Sequence, residues 1–202
     1  VMAQLAHHSI DGSIHFHFID FRHITEMLAA AEGVYSEVKN LCVWVKQNAC
    51  MGSLYRSQHE LVFVFKSGKS PHINNVQLGK HGRNRTNVWR YAGANSFGKD
   101  RDALLAAHPT AKPVDLVADA IMDCSDRGGL VLDPFLGSGT ALLAAERTGR
   151  RGFGIELDPW YVDVALARLA VVCADPVIHD ATGMTFAELR EARRAEPQGE
   201  AA

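Results

Sequence analysis

A chain of 202 residues, 47% hydrophobic and 22% charged, is long enough for one domain with a sizeable core and too apolar to be disordered. No apolar run approaches the roughly 20 residues of a membrane span, and no basic, signal-like head opens the sequence, so a cytoplasmic protein without membrane contact is expected. The formal charge of -2 conceals a segregation, because eight basic residues between Lys66 and Arg101 face one acid, Asp100. A basic segment on an acidic body suits a polyanion, with a solvated loop as the alternative.

In chain order, Val1, Met2 and Leu5 have helical spacing without a preceding cap, which reads as the end of a helix that begins upstream. Three strand signals follow, SIHFHFID (13–20), LCVWVK (41–46) and ELVFVFK (60–66), with a helix over RHITEMLAAA between the first two. The stretch from Ser67 to His108 is irregular and rich in Gly, Asn and Arg; a loop of that length inside a domain is usually functional. Pro113 then opens a helix with Leu116, Val117, Ala120, Ile121 and Cys124 on one face, and Gly128-Gly129 ends it.

After that the sequence reads as a parallel β-α-β unit: strand LVLD, a glycine turn, helix TALLAAERTG, strand GFGIELD, and a helix capped by Asp158 with Pro159 at its first position. The tail carries a capping box, Thr185-x-x-Glu188. Cys42, Cys50, Cys124 and Cys173 are far apart and are expected to be reduced packing residues. Alternation puts His15 and His17 on one strand face, yet no Cys or carboxylate completes a zinc ligand set, so no metal is expected.

The glycine turn LDPFLGSGT (132–140) discriminates among ligands. A P-loop needs Lys after its last glycine, where this chain has Thr140; a dinucleotide fingerprint needs a third glycine at the place of Leu142. Glu156, at the end of the next strand, stands where a doubly wound fold places a carboxylate for ribose hydroxyls. Together they favour an adenosine-type ligand without phosphates.

LDPFLGSGT with GIELDPWYVDVALAR resembles the first motifs of S-adenosylmethionine-dependent amino-group DNA methyltransferases, and HPTAKPVDL resembles the motif that precedes them in the circularly permuted β class. NLCVWVKQNACMGSLYRSQHELVFVFK, GRNRTNVWRYAG and DPVIHDATGMTFAEL are similar to members found behind a ParB-like domain. The resemblance implies an α/β, Rossmann-like class I fold, circularly permuted, with a mostly parallel sheet. It divides the chain into a catalytic-half remnant (1–66), a target-recognition region (67–107), a cofactor half (108–174) and a tail (175–202).

It also implies that Asp133, Pro134, Phe135, Gly137, Ser138, Gly139 and Thr140 wrap the methionine end of S-adenosylmethionine. Glu156 holds the ribose, and Thr110 and Lys112 reach the cofactor carboxylate. Arg83, Arg85 and Arg90 with Trp89 and Tyr91 are expected to contact double-stranded DNA through charge and stacking. An upstream ParB-like domain and a homodimer are compatible with it.

Such enzymes bring acceptors to the exocyclic amine with a [DNS]-P-P-[YFW] motif, which is absent here. Asp158-Pro159-Trp160-Tyr161 has one proline and starts a helix. The expectation is therefore a chain lacking one catalytic strand, inactive alone, whose parent methylates adenine-N6. Cytosine-N4 is the alternative target, and a non-catalytic cofactor- or DNA-binding module is the alternative from another class.

Overall fold

The computed structural model describes residues 1–52, 54–76, 79–80, 82–93 and 112–195. Helix α1 (Met2–His7) leads to strand β1 (Ile14–Ile19), a 3-10 turn (Phe21–His23), helix α2 (Ile24–Ala31), and strands β2 (Glu37–Val45), β3 (His59–Lys66) and β4 (Val88–Arg90). The second half runs α3 (Val114–Cys124), β5 (Leu130–Asp133), α4 (Thr140–Thr148), β6 (Arg151–Gly154), α5 (Pro159–Val172) and α6 (Phe186–Ala195). Helix α3 stops at Cys124, short of the glycines expected to end it, because Ser125 is already extended.

β1 to β4 form one sheet in the order β1-β3-β2-β4, and β5 and β6 form a parallel pair. The parallel character expected of the sheet is confined to β5-β6 and β2-β4, since β3 runs antiparallel to both β1 and β2. The reason is the connection: β2 and β3 are joined through residues 46–58 with no crossover helix, and a chain that turns straight back pairs antiparallel.

β3 is the spine, and its period of two feeds two cores. Val62 and Val64 meet Cys42, Trp44 and Trp89, together with Leu116 and Ala120 of α3, while Phe63 and Phe65 meet Ala31 of α2 with Ile19, Met27 and Tyr35 around them. The opposite side of α3, Ala118 and Ile121, packs on Ala144 of α4 and Val131 of β5. Val117 touches both clusters, so α3 is the splint between the two sheets.

β1 and β5 are each the margin of their sheet, and no ladder joins the sheets among the described residues. Beside that open margin Leu130 and Leu132 of β5 and Phe153 of β6 are exposed. An unpaired edge next to uncovered apolar residues is a surface that a strand and its flanking helix would bury.

His15 and His17 share a face, as alternation requires, and both point at Tyr35: His15 Nδ1 and His17 Nε2 each lie 2.9 Å from its hydroxyl. Burial, with His15 nearby, pushes the His17 imidazole down to about 4, burial also lowers His15, and Tyr35 is pushed up to about 12. The folded chain thus resists protonation that the unfolded chain accepts near pH 6.5. Stability is complete above pH 6.5 and declines as the pH falls from there toward 4. Urea unfolding between pH 7.5 and 4.5 checks this, with His17→Asn expected to flatten the decline; an equal slope in the variant would refute the assignment. Among the described residues no group of three or more His, Cys, Asp or Glu is placed to hold a metal, and no helix is long and apolar enough to cross a membrane.

Candidate functional site

The tips of β5 and β6 lie side by side, Asp133 opposite Gly154, and the chain leaving each tip turns toward the other. Asp133 closes its own turn by accepting the Phe135 N–H at 3.0 Å. Burial and the neighbouring Glu156 raise the Asp133 carboxyl above its usual range, against the pull of the Phe135 amide and of Lys112. Glu156 Oε2 accepts the Gly137 N–H at 2.7 Å, and its Oε1 accepts the N–H groups of Leu157 at 2.8 Å and Asp158 at 3.0 Å. One carboxylate therefore ties the β6 tip to the glycine turn after β5.

Ser138, Gly139 and Thr140 are buried under that turn. Gly139 is left-handed (φ 82°) and starts α4, and a Cβ on it would stand 2.8 Å from Ala165 of α5, so a side chain there is excluded twice over. The close helix-to-strand approach that a glycine at the place of Leu142 would permit is supplied from the strand instead. Gly152 lies under Leu142, where its missing Cβ would be 2.8 Å from the leucine Cδ2. Phe135 and Leu157, in the segments that leave the two tips, are 72% and 97% exposed.

Lys112 comes near the turn through its backbone, whose carbonyl accepts from Thr140 Oγ1 at 3.4 Å. Its ammonium is turned to Glu60 Oε2 at 3.4 Å and lies over the Phe18 ring, while Lys46 takes the other Glu60 oxygen at 2.6 Å. Thr110 lies outside the described residues. Sequence reasoning did not bring Glu60 and Lys46 to Lys112, since no motif marks them: Lys46 follows the carboxyl end of β2 and Glu60 stands at the start of β3.

Of the residues expected at DNA, four are engaged within the fold. Arg83 and Arg85 face inward onto α3: Arg83 Nη2 meets Asp123 Oδ1 at 2.6 Å, and Arg85 pairs with Asp123 at 2.7 Å and Asp119 at 3.0 Å. Tyr91 donates its hydroxyl to Asp119 and accepts from Arg85 Nη1 at 2.9 Å, and Trp89 is a core residue. Two carboxylates one helical turn apart neutralise two guanidinium groups that the segment leading into β4 lays against the helix. Of the five, Arg90 is the one exposed, at the strand end.

Residues 7–167 match the family of N6 and N4 methyltransferases described as DNA methylase. The chain belongs to the N6/N4 DNA methylase family. The Type II methyltransferase M.ScaI of Streptomyces caespitosus is 41% identical to this methylase chain over 88 residues, covering 44% of the chain and 29% of M.ScaI. M2.DpnII of Streptococcus pneumoniae is 30% identical over 168 residues, covering 79% of the chain and 59% of M2.DpnII. The methylase chain thus spans less than two thirds of these relatives. Among solved structures, the M1.HpyAVI–SAM complex is similar with a TM-score of 0.69 and 25% identity, covering 83% of this chain and 79% of that one. The architecture is the Rossmann-like fold of S-adenosylmethionine-dependent DNA methyltransferases.

Proposed function

We propose that this methylase chain binds S-adenosylmethionine at the paired tips of β5 and β6 and belongs to a permuted, β-class DNA methyltransferase that modifies adenine-N6. The observation that carries the reading is the Glu156 carboxylate clasping Gly137, with Asp133 beside it. A crevice lined by two carboxylates repels phosphates and suits a ligand that carries a sulfonium and an ammonium group.

In this reading Glu156 takes the ribose hydroxyls, and Phe135 joins the residues around the methionine end. Asp133, Pro134 and the turn Gly137, Ser138, Gly139 and Thr140 enclose the methionine end. Lys112, released from Glu60, and Thr110 take its carboxylate. S-adenosylmethionine supplies an electrophilic methyl group there. The exocyclic amine of a base shares its lone pair with the ring, so it needs acceptors for its protons at the moment of transfer. We assign those acceptors to a [DNS]-P-P-[YFW] strand seated between β1 and β5, whose outer edges pair with no strand among the described residues. Arg90 and the basic segment around it face the duplex. An upstream ParB-like domain and a homodimer are compatible with the same reading.

Calorimetry with S-adenosylhomocysteine and transfer of labelled methyl groups to DNA test it. Binding without transfer is expected of the chain alone, and transfer once a strand bearing that motif precedes α1, with N6-methyladenine recovered from the digested product. N4-methylcytosine would move the target to cytosine. Absence of S-adenosylhomocysteine binding would overturn the reading.

A further inference from the structure

The glycine turn is held from the crevice side by Glu156 and from behind by α5. Ala165 fills the space left by Gly139, and Arg168, one turn along the same helix face, reaches the preceding peptide. Arg168 Nη1 donates to the Ser138 carbonyl and, at 2.8 Å, to Ser138 Oγ. Ser138 is 3% exposed, so neither acceptor has water to turn to when the guanidinium is removed.

Arg168 is half-buried, and no carboxylate among the described residues pairs with it. Burial alone lowers its pKa. A guanidinium that served only to cover apolar surface would keep its head in water, as long basic side chains normally do. This one carries its charge inward for two bonds to a single residue of the turn.

Resting on the assignment of this turn to the methyl donor, we propose that Arg168 is a positioning residue for S-adenosylmethionine, fixing the Ser138 peptide and the left-handed Gly139 after it. The donor then meets a turn already in its binding form instead of one it must order, which is where preorganisation adds affinity.

The test is calorimetry with S-adenosylhomocysteine on the full chain, well below the unfolding midpoints of all variants. Arg168→Met is expected to weaken binding by roughly 10- to 30-fold, and Arg168→Lys, which keeps one donor, by only about 3-fold. Ser138→Ala should add no further loss to Arg168→Met, because the bond to Oγ that it removes is already gone there. Binding by Arg168→Met within about twofold of the unaltered chain, or losses that simply add in the double variant, would overturn the proposal while leaving the donor site standing. Should Arg168→Met not fold, Arg168→Lys and Ser138→Ala decide it: unchanged affinity in both overturns it. Failure of the unaltered chain to bind would overturn the donor site and this role together.

Discussion

Glu156→Ala lowers the affinity for S-adenosylhomocysteine by about 100-fold, the loss expected when a charged acceptor of ribose hydroxyls is removed and the turn it fastens is released. Both effects run through the same carboxylate, which holds Gly137 with one oxygen and the Leu157 and Asp158 amides with the other. Glu156→Gln separates them. The amide retains one acceptor for the Gly137 N–H but loses the charge, so its loss should be intermediate, about 10-fold. Calorimetry on the three proteins, with thermal unfolding as a check that they remain folded, measures this. Equal affinity in all three would remove Glu156 from the cofactor site and the central support from the proposed function.

The β-α-β half was legible in the sequence because its signals are local. Asp158 caps α5 by accepting the Trp160 N–H at 2.9 Å, and Thr185 and Glu188 form the predicted capping box. The glycine turn and Glu156 meet as their spacing implied. What escaped is tertiary. The three residues of β4 are too few for a periodic signal, and they became a strand because Trp89 found a place in the core beside Trp44.

The ion pairs of the arginines escape the sequence for a related reason. A charge count treats every guanidinium as free, while partners are fixed by which helix lies opposite. The acids of α3 carried a usable signal, since Asp115, Asp119 and Asp123 recur every four residues along one side of a helix whose other faces are apolar. Asp115 pairs with Arg147 of α4, and Asp119 and Asp123 take Arg83 and Arg85. An acidic stripe on a packed helix predicts basic partners from elsewhere in the chain before it predicts a nucleic-acid contact by those partners.

That placement leads to a large effect on stability. Asp123→Ala leaves Arg83 and Arg85 with Asp119 as their one remaining carboxylate, at sites where their side chains are 24% and 17% exposed. Breaking an ion pair with so little access to water costs about 3 kcal/mol, read as a lower urea midpoint with an unchanged slope. Replacing Arg83 by Met in the Asp123→Ala background should restore part of the loss, because one guanidinium, Arg85, then faces the one remaining carboxylate, Asp119. Asp123 is roughly 16 Å along α3 from Lys112, so the variants should bind S-adenosylhomocysteine as the unaltered chain does when folded. Arg83→Met in the unaltered background decides between the inward role of these arginines and the DNA contact expected of them. If Arg83→Met weakens duplex binding and leaves the unfolding midpoint in place, the guanidinium serves DNA; if it lowers the midpoint and spares binding, it serves α3, and the salt-dependent contact passes to Arg90 and its neighbours.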